Sequence, residues 1–157
     1  MALVTAATEH SPEIVGFHAG AGGWKPGRSR FAGHVDELTP LTISPRQRFD
    51  DAVRAVSDLP FGATDCALPM RYAIEREREV DTFVIYTDSE TWAGDIHPVQ
   101  ALREYRERSG IAARLVVVGM ISNGFTIADP DDPGMLDVVG FDTATPGVIS
   151  GFASGSL

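Results

Sequence analysis

Two threonine–aspartate pairs carry hydroxyl and carboxylate oxygens from which a divalent-cation site could be built. Thr64-Asp65 stands at the start of a predicted helix, and Thr87-Asp88 directly follows the apolar run 82–86. In open α/β sheets, ligands bind at the carboxyl ends of the strands, where we expect both pairs to lie. Mg²⁺ and Mn²⁺ prefer oxygen ligands, and Mg²⁺ keeps several waters. The same residues could instead cap a helix and a turn, so their spacing leaves both interpretations open.

A second acidic segment, Asp129-Pro-Asp-Asp-Pro-Gly134, has the carboxylates of a calcium loop but not their spacing. Numbered as an EF-hand loop from Asp129, the fifth position is Pro133 and the twelfth is Gly140. Both positions need a liganding residue, so the segment fails as a calcium loop. We predict an acidic turn shaped by its Asp-Pro steps, with a contact surface as the alternative role.

Nucleophilic catalysis has little support in the sequence. Cys66 follows Thr64-Asp65 near a predicted helix N-terminus, where a thiol pKa can be lowered, but His18, His34 and His97 are all far away in sequence. We predict that Cys66 packs in the first helical turn and that His97 begins a helix. The sequence has no phosphate-binding glycine loop, no nucleophile elbow and no paired histidines, so we do not expect an enzyme.

Cations and aromatic residues are concentrated between Gly20 and Gly33. This segment contains five glycines together with Trp24, Phe31 and three basic residues, namely Lys25, Arg28 and Arg30. Proteins use such residues to contact phosphates and to stack on bases, so the three cations are candidates for RNA contact. A solvated glycine-rich loop explains them equally well. We expect the segment to be mobile.

The order of apolar runs and turn signals predicts an α/β fold with a mainly parallel sheet and helices on both faces. We expect parallel strands near residues 13–19, 81–87, 113–119 and 136–141, and an antiparallel edge strand at 38–43, where Pro40 lacks an N–H. Ser44-Pro45-Arg46-Gln47 is a capping-box pattern that predicts a helix from Pro45 to Asp58. Further helices are expected at residues 64–79, 98–109 and from Thr145.

Composition and charge limit the classes of function. The 157 residues, 43% of them hydrophobic, can bury the core of one domain spanning 1–157. The net charge is −9, and residues 81–157 hold 4 basic against 11 acidic side chains, which disfavours a free-standing nucleic-acid binder and DNA as a partner. No apolar run approaches the length of a membrane span. The single cysteine favours a reducing cytoplasm.

Several long motifs recur in one order and are similar to those of a known family. They are Tyr86-Thr-Asp-Ser-Glu-Thr-Trp-Ala-Gly94, His97-Pro98, Ala101-Leu-Arg-Glu-Tyr-Arg106 and the stretch Ser122–Asp142. The sequence resembles the C-terminal domain of the Ro autoantigen family, also called TROVE or Ro ribonucleoprotein. The resemblance begins near Ile14, and its dense part lies within residues 14–142.

The resemblance implies a von Willebrand A-like, Rossmann-like fold with a metal-ion-dependent adhesion site. Thr64 matches the threonine of the second metal loop and Asp88 the aspartate of the third, whereas the first loop, Asp-x-Ser-x-Ser, has no match. The expected site is therefore incomplete and binds Mg²⁺ or Mn²⁺ weakly. The first central strand, between 13–19 and 81–87, is also expected to be missing. We expect another chain, a swapped segment or direct closure to fill the gap, and association over a lone monomer.

By the same resemblance, the function involves noncoding RNA. Ro proteins bind Y RNAs and misfolded RNAs through a ring of helical repeats that is not found in this sequence, and they act in RNA quality control. We therefore expect a structural and docking domain of a Ro-type RNA-binding protein, with a protein partner or self-association. The alternative is a free-standing protein–protein interaction module with no RNA binding of its own, which the acidic charge favours.

Overall fold

The computed structural model describes residues 1–17, 38–59, 65–88, 96–121 and 127–157. The predicted glycine-rich loop, with Lys25, Arg28 and Arg30, lies outside the described residues, as does the predicted metal ligand Thr64. Within these ranges, no helix is both long enough and apolar enough to cross a membrane.

From the first strand onward, the helices and strands of the described chain follow the order that the sequence predicts. In chain order they are α1 (Ala2–Thr8), β1 (Val15–Phe17), β2 (Leu38–Pro40), α2 (Phe49–Ser57), α3 (Leu68–Glu75), β3 (Thr82–Thr87), α4 (Pro98–Ser109), β4 (Arg114–Gly119), β5 (Met135–Val139) and α5 (Thr145–Ser154). The predicted end of α4 is confirmed, because Gly110 adopts φ 72° and its N–H donates to the Arg106 carbonyl.

A three-stranded parallel sheet forms the centre of the fold, in the order β3-β4-β5. Between β3 and β4, Thr82 pairs with Arg114 at one end and Thr87 pairs with Gly119 at the other. Gly119 also pairs with Val139 of β5. Residues 115–119 of the central strand are buried, as expected of an unbroken apolar run. The prediction of parallel strands at 81–87, 113–119 and 136–141 is confirmed, except that the last strand runs from Met135 to Val139.

Helices cover both faces of this sheet, as predicted. Phe83, Ile85, Leu115 and Val117 point to one face and form a core with α3 and α4. The alternate residues point to the other face. A smaller cluster there includes Ile149 and Phe152 of α5 and Met1 beside α1. Its strand residues are Val84, Tyr86, Val116, Val118, Leu136 and Val138. Because successive side chains of a strand point to opposite faces of the sheet, the two faces carry separate cores of unequal size.

Tyr105 ties α4 to the chain that enters β3. Its side chain is buried, and its hydroxyl donates to the Arg78 carbonyl at 2.8 Å and accepts from the Val80 N–H at 2.7 Å. The Tyr105 ring meets Phe83 edge-on with centroids 5.0 Å apart. These contacts satisfy backbone groups that precede the strand, and so they fix where β3 begins.

The expectation that residues 13–19 join the parallel strands in one sheet is wrong for the described residues. β1 pairs antiparallel with β2, from Val15 opposite Pro40 to Phe17 opposite Leu38, and forms a separate sheet. No pairing between β1 and β3 is found in the described ranges, so direct closure of the gap is not seen there. Within those ranges β1 pairs with β2 alone, and β3 pairs with β4 alone.

The predicted start of α2 is also wrong. Ser44 and Gln47 make hydrogen bonds of the capping-box kind, since the Ser44 N–H donates to Gln47 Oε1 at 3.2 Å and the Arg46 N–H to Ser44 Oγ at 3.3 Å. They close a separate turn, however, and Arg48 is extended at φ −67° and ψ 144° before the helix begins at Phe49. The hydrogen bonds of Ser44 and Gln47 therefore stabilise a turn that precedes the helix.

Candidate functional site

The carboxyl ends of the three parallel strands bring distant segments together at one edge of the sheet, here called the carboxyl edge. The Met120 N–H donates to the Thr87 carbonyl at 3.1 Å, and the Gly140 N–H donates to the Gly119 carbonyl at 2.8 Å. These bonds continue the ladder beyond the last paired residues. They place Asp88, Met120 and Gly140 side by side, where ligands of α/β proteins bind.

Asp88 lies at this edge as predicted, with an exposed side chain. Asp65, in contrast, is buried, and its Oδ1 accepts the Ala67 N–H at 2.9 Å in the turn before α3. Asp65 thus closes the turn before α3, whose N-cap residue is Ala67, so the expected helix cap by Asp65 is not found. Within the described ranges, no group of three or more His, Cys, Asp or Glu residues could hold a metal ion. Asp88 as a lone carboxylate does not meet the needs of a strong divalent-cation site.

Large apolar side chains are exposed at the same edge. Met120 is 56% exposed, Ile121 62% and Phe141 41%. The Phe141 ring lies over Tyr86, with centroids 6.2 Å apart and ring planes 48° from parallel. Gly140 has φ +89°, a conformation that glycine adopts without strain, and this turn redirects the chain after β5. We call Tyr86, Met120, Ile121 and Phe141 the carboxyl-edge patch.

Carboxylates surround the patch. Asp88 follows Tyr86 by two residues and Asp142 adjoins Phe141, and both are exposed, as is Glu9 after α1. Glu9 acts on Tyr86, whose pKa is raised above 10.0 chiefly by burial and further by this negative charge, against a hydrogen bond with Thr5. The ion pairs found within the described ranges use none of these three acids.

Asp142 remains charged because local donors hold it. Its Oδ1 accepts the Ala144 N–H at 2.8 Å, the Thr145 N–H at 2.9 Å and the Thr145 hydroxyl at 3.1 Å. The bonds from Ala144 and Thr145 lower the Asp142 pKa below 3.8. The carboxylate therefore holds the turn that leads into α5, and it adds a fixed negative charge beside the patch.

The predicted acidic turn at 129–134 is confirmed, and two of its three carboxylates, those of Asp129 and Asp132, are paired with arginines. Arg103 of α4 pairs with Asp129 at 2.9 Å, and Arg106 pairs with Asp132 at 2.6 Å. Asp132 Oδ1 also accepts the Gly134 N–H at 2.8 Å, as Asp residues do in Asx turns. The hydrogen bond from Arg106 is the main cause that lowers the pKa of Asp132. These acids hold the turn on α4.

His97 begins α4 as predicted, whereas Cys66 lies in the turn before α3 and not in its first helical turn. Cys66 is buried, and burial, with the nearby charge of Asp65, raises its pKa to about 12, so the thiol is protonated at neutral pH. His97 caps α4, because its Nδ1 accepts the Val99 N–H at 3.2 Å. Neither residue has the setting of an activated nucleophile and base.

Sequence reasoning missed the patch itself. The available signal was a pair of large apolar residues, Met120 and Ile121, placed after a buried strand and directly before the turn dipeptide Asn123-Gly124. Phe141 was assigned to the last buried strand, but β5 ends at Val139 and Phe141 is exposed. Only the strand register brings the two segments together.

Comparison with known proteins agrees with this geometry. The family model of the Ro60 vWA domain, where vWA denotes von Willebrand A, matches residues 1–153. RNA-binding protein RO60 of Deinococcus radiodurans is 46% identical over 125 residues, which cover 80% of this chain and 24% of that protein. RNA-binding protein RO60 of Caenorhabditis elegans is 43% identical over 129 residues, which cover 82% of this chain and 20% of that protein.

A solved structure supports the same assignment. The crystal structure of the Deinococcus radiodurans RO (RSR) protein superposes with a TM-score of 0.81 at 40% identity, covering 99% of this chain and 28% of that one. This chain thus spans about a quarter of the length of these relatives. The family match covers nearly all of its residues, and the TM-score shows that the two structures share a fold. The chain therefore belongs to the Ro60 von Willebrand A domain family.

Proposed function

We propose that this chain is the von Willebrand A module of an RNA-binding protein of the RO60 type and that it acts as a structural and docking domain. In this proposal the protein binds noncoding RNA of the Y class and acts in RNA quality control in the cytoplasm. RNA is gripped outside the parallel sheet, and the sheet provides a surface for a protein partner. The likeness to two proteins named for RNA binding supports the first part.

One observation carries the docking role: the distribution of charge around the sheet. The carboxyl edge presents Asp88, Asp142 and Glu9 with no ion pair within the described ranges. On α4, Arg103 and Arg106 are held by Asp129 and Asp132 of the chain's own turn. Phosphates gain affinity from free Lys and Arg side chains, so this surface repels RNA. The proposal includes no catalytic step, in agreement with the raised pKa of the Cys66 thiol.

RNA titration tests the proposal directly. A Y-like RNA and an unrelated hairpin of equal length are titrated with this chain at about 50 and about 200 mM salt. We expect dissociation constants in the non-specific range, on the order of 10 μM or weaker, with no preference between the two RNAs. The triple variant Lys25→Ala, Arg28→Ala, Arg30→Ala should remove most of the residual, salt-sensitive binding if those candidates contact phosphates. Tight, selective binding of the Y-like RNA by the chain alone contradicts the docking role.

The second candidate function is a protein–protein interaction module that has no RNA role even within a longer protein. The net charge of −9 favours it. The two candidates differ in one measurement, because a longer protein that contains this domain would bind the Y-like RNA tightly under the first and not under the second. The same preparations report association. Among the described residues β1 and β3 are each paired on one side, so a strand from a second copy or a partner could pair with the other side.

A further inference from the structure

We propose that α2 binds α2 of a second copy of this chain, with the two helices antiparallel across a two-fold axis. The inference goes beyond the proposed function, which names neither this helix nor its occupant, and it does not depend on RNA binding. Phe49, Val53 and Val56 of each copy would form the apolar contact. Asp50 of each copy would pair with Arg54 of the other.

The apolar stripe of α2 is wider than the part that the domain covers. Ala52 is the one buried residue of this nine-residue helix, and Leu59, which follows the helix, lies against β1. Phe49, Val53 and Val56 continue the stripe at helical spacing but are 70%, 43% and 47% exposed. Helices of this length are marginal in water, and packing of the apolar stripe supplies most of their stability. A surface that covers these three side chains would therefore stabilise α2.

The charge around α2 favours a second copy over a strongly charged partner. Residues 46–58 contain three arginines and three aspartates, so this segment is neutral in a chain whose net charge is −9. A nucleic acid or a strongly basic segment gains no net attraction from a neutral surface. Two copies that meet through α2 avoid repulsion at the contact, and physiological salt screens the repulsion between their more distant acids.

The order of the charges along α2 is self-complementary. At about 3.6 residues per turn, Asp50 and Arg54 border the stripe on the side remote from the buried face. In an antiparallel pair, Phe49 lies opposite Val56 of the second copy. This register brings Asp50 beside Arg54 of that copy, and the two-fold axis repeats both contacts.

Both charged side chains are available for such a contact. Asp50 takes part in no ion pair found among the described residues. Arg54 pairs with Asp51 at 3.6 Å, but both of these side chains are more than half exposed. An exposed pair of this kind contributes little to stability, so Arg54 can turn to the second copy at small cost.

Sedimentation equilibrium of the full chain tests the inference, at about 150 mM salt and up to about 1 mM protein. The stripe is smaller than the interface of a stable dimer, so we expect a dissociation constant on the order of 100 μM. Phe49→Ser with Val56→Ser should weaken association at least about tenfold. Met120→Ser with Ile121→Ser is the matched control, because this pair is 56% and 62% exposed on the carboxyl-edge patch, and it should change association less than about twofold.

Charge reversal tests the antiparallel register. Asp50→Arg places cations at both flanking positions of each copy, and Arg54→Asp places acids at both, so each variant alone should dimerise about fivefold more weakly. An equimolar mixture of the two variants should associate more tightly than either alone, because each cation then meets an acid. Asp50→Arg combined with Arg54→Asp in one chain should restore the association of the parent. Thermal unfolding of each variant confirms that it is folded.

Three outcomes overturn the inference. They are a chain that stays monomeric at the highest concentration, a dimer that Phe49→Ser with Val56→Ser leaves intact, and a mixture of charge variants no tighter than its components. An intact dimer in the apolar variant would assign association to another surface, such as the unpaired sides of β1 and β3. The RNA titration above tests the proposed function separately, so either proposal can fail without the other.

Discussion

Two acidic regions of this domain have opposite arrangements of charge. In the turn at 129–134, Asp129 and Asp132 pair with Arg103 and Arg106 of α4, and Asp132 Oδ1 also accepts a backbone N–H. At the carboxyl edge, Asp88 and Asp142 have no ion pair within the described ranges and lie beside exposed apolar side chains. In the first region Asp129 and Asp132 hold the turn on α4, whereas no ion pair of the described residues engages Asp88 or Asp142.

This difference shows that a count of acidic residues does not locate a functional surface. The turn has the higher density of Asp residues, and it first suggested a calcium loop. Two of its three carboxylates, those of Asp129 and Asp132, are nevertheless held by arginines one helical turn apart on α4. What distinguishes the carboxyl edge is the lack of such neighbours among the described residues. Substitutions in the two regions should therefore have opposite effects on stability and binding.

The largest expected effect is on stability, from Arg106→Leu. Arg106 Nε donates to the Ala113 carbonyl at 2.7 Å while its Nη1 holds Asp132, and both side chains are mostly buried. The substitution leaves a carboxylate and a carbonyl without their donor, so the free energy of unfolding should fall by about 2 kcal/mol. Urea denaturation measures it. The control is Arg103→Leu, whose more exposed pair should contribute less than about 1 kcal/mol. Equal effects would contradict the structural role of the turn.

A smaller effect concerns pH, through Asp132→Asn. Since the pKa of Asp132 is lowered below 3.8 in the folded chain, its charge stabilises the fold above that value, and this stabilisation is lost as pH falls through the native pKa. The variant should lose about 1 kcal/mol at neutral pH. The difference from the parent should shrink below pH 3.8. Urea titrations at several pH values measure it, and a difference that stays constant down to acid would refute the assignment.

Much of this arrangement could be predicted from the sequence. The apolar runs at β3 and β4 and the Pro98 and Gly110 boundaries of α4 carry local signals that tertiary context does not override. Local patterns also predicted the wrong start for α2, because Ser44 and Gln47 can stabilise a turn as readily as they can cap a helix. Local patterns therefore predicted the elements but not every boundary.

The carboxyl-edge patch could not be predicted in this way. Phe141 and Met120 are distant in sequence, and only the register of β4 with β5 and the positive φ of Gly140 bring them to one edge. The pairing of Arg106 with Asp132 could not be predicted for a similar reason. It forms only when a helix and a later turn pack against the same face of the sheet. Tertiary packing sets such long-range contacts, and the periodicity of apolar residues in the sequence carries no information about them.

The smallest expected effect tests the metal hypothesis at Asp88. Thr64 and Asp88 are the matched ligands, and the described residues supply only the exposed Asp88, so water must complete any coordination shell. Calorimetry with Mg²⁺ and with Mn²⁺ on the isolated chain should show no binding or a dissociation constant on the order of millimolar. Asp88→Ala should change the free energy of unfolding by less than about 0.5 kcal/mol, because its charge lies at an exposed surface.

Glu104→Ala on α4 is a suitable control for this measurement, since that carboxylate is engaged by Arg108 at 2.8 Å and should not take part in cation binding. Micromolar binding that Asp88→Ala abolishes, in a preparation proven to be monomeric, would show that the carboxyl edge is a metal site built without the first loop. In that event, the free charge of Asp88 would serve a cation, and the comparison between the two acidic regions would have to be redrawn. Weak binding that both variants retain would instead show that Asp88 is not the ligand of the cation.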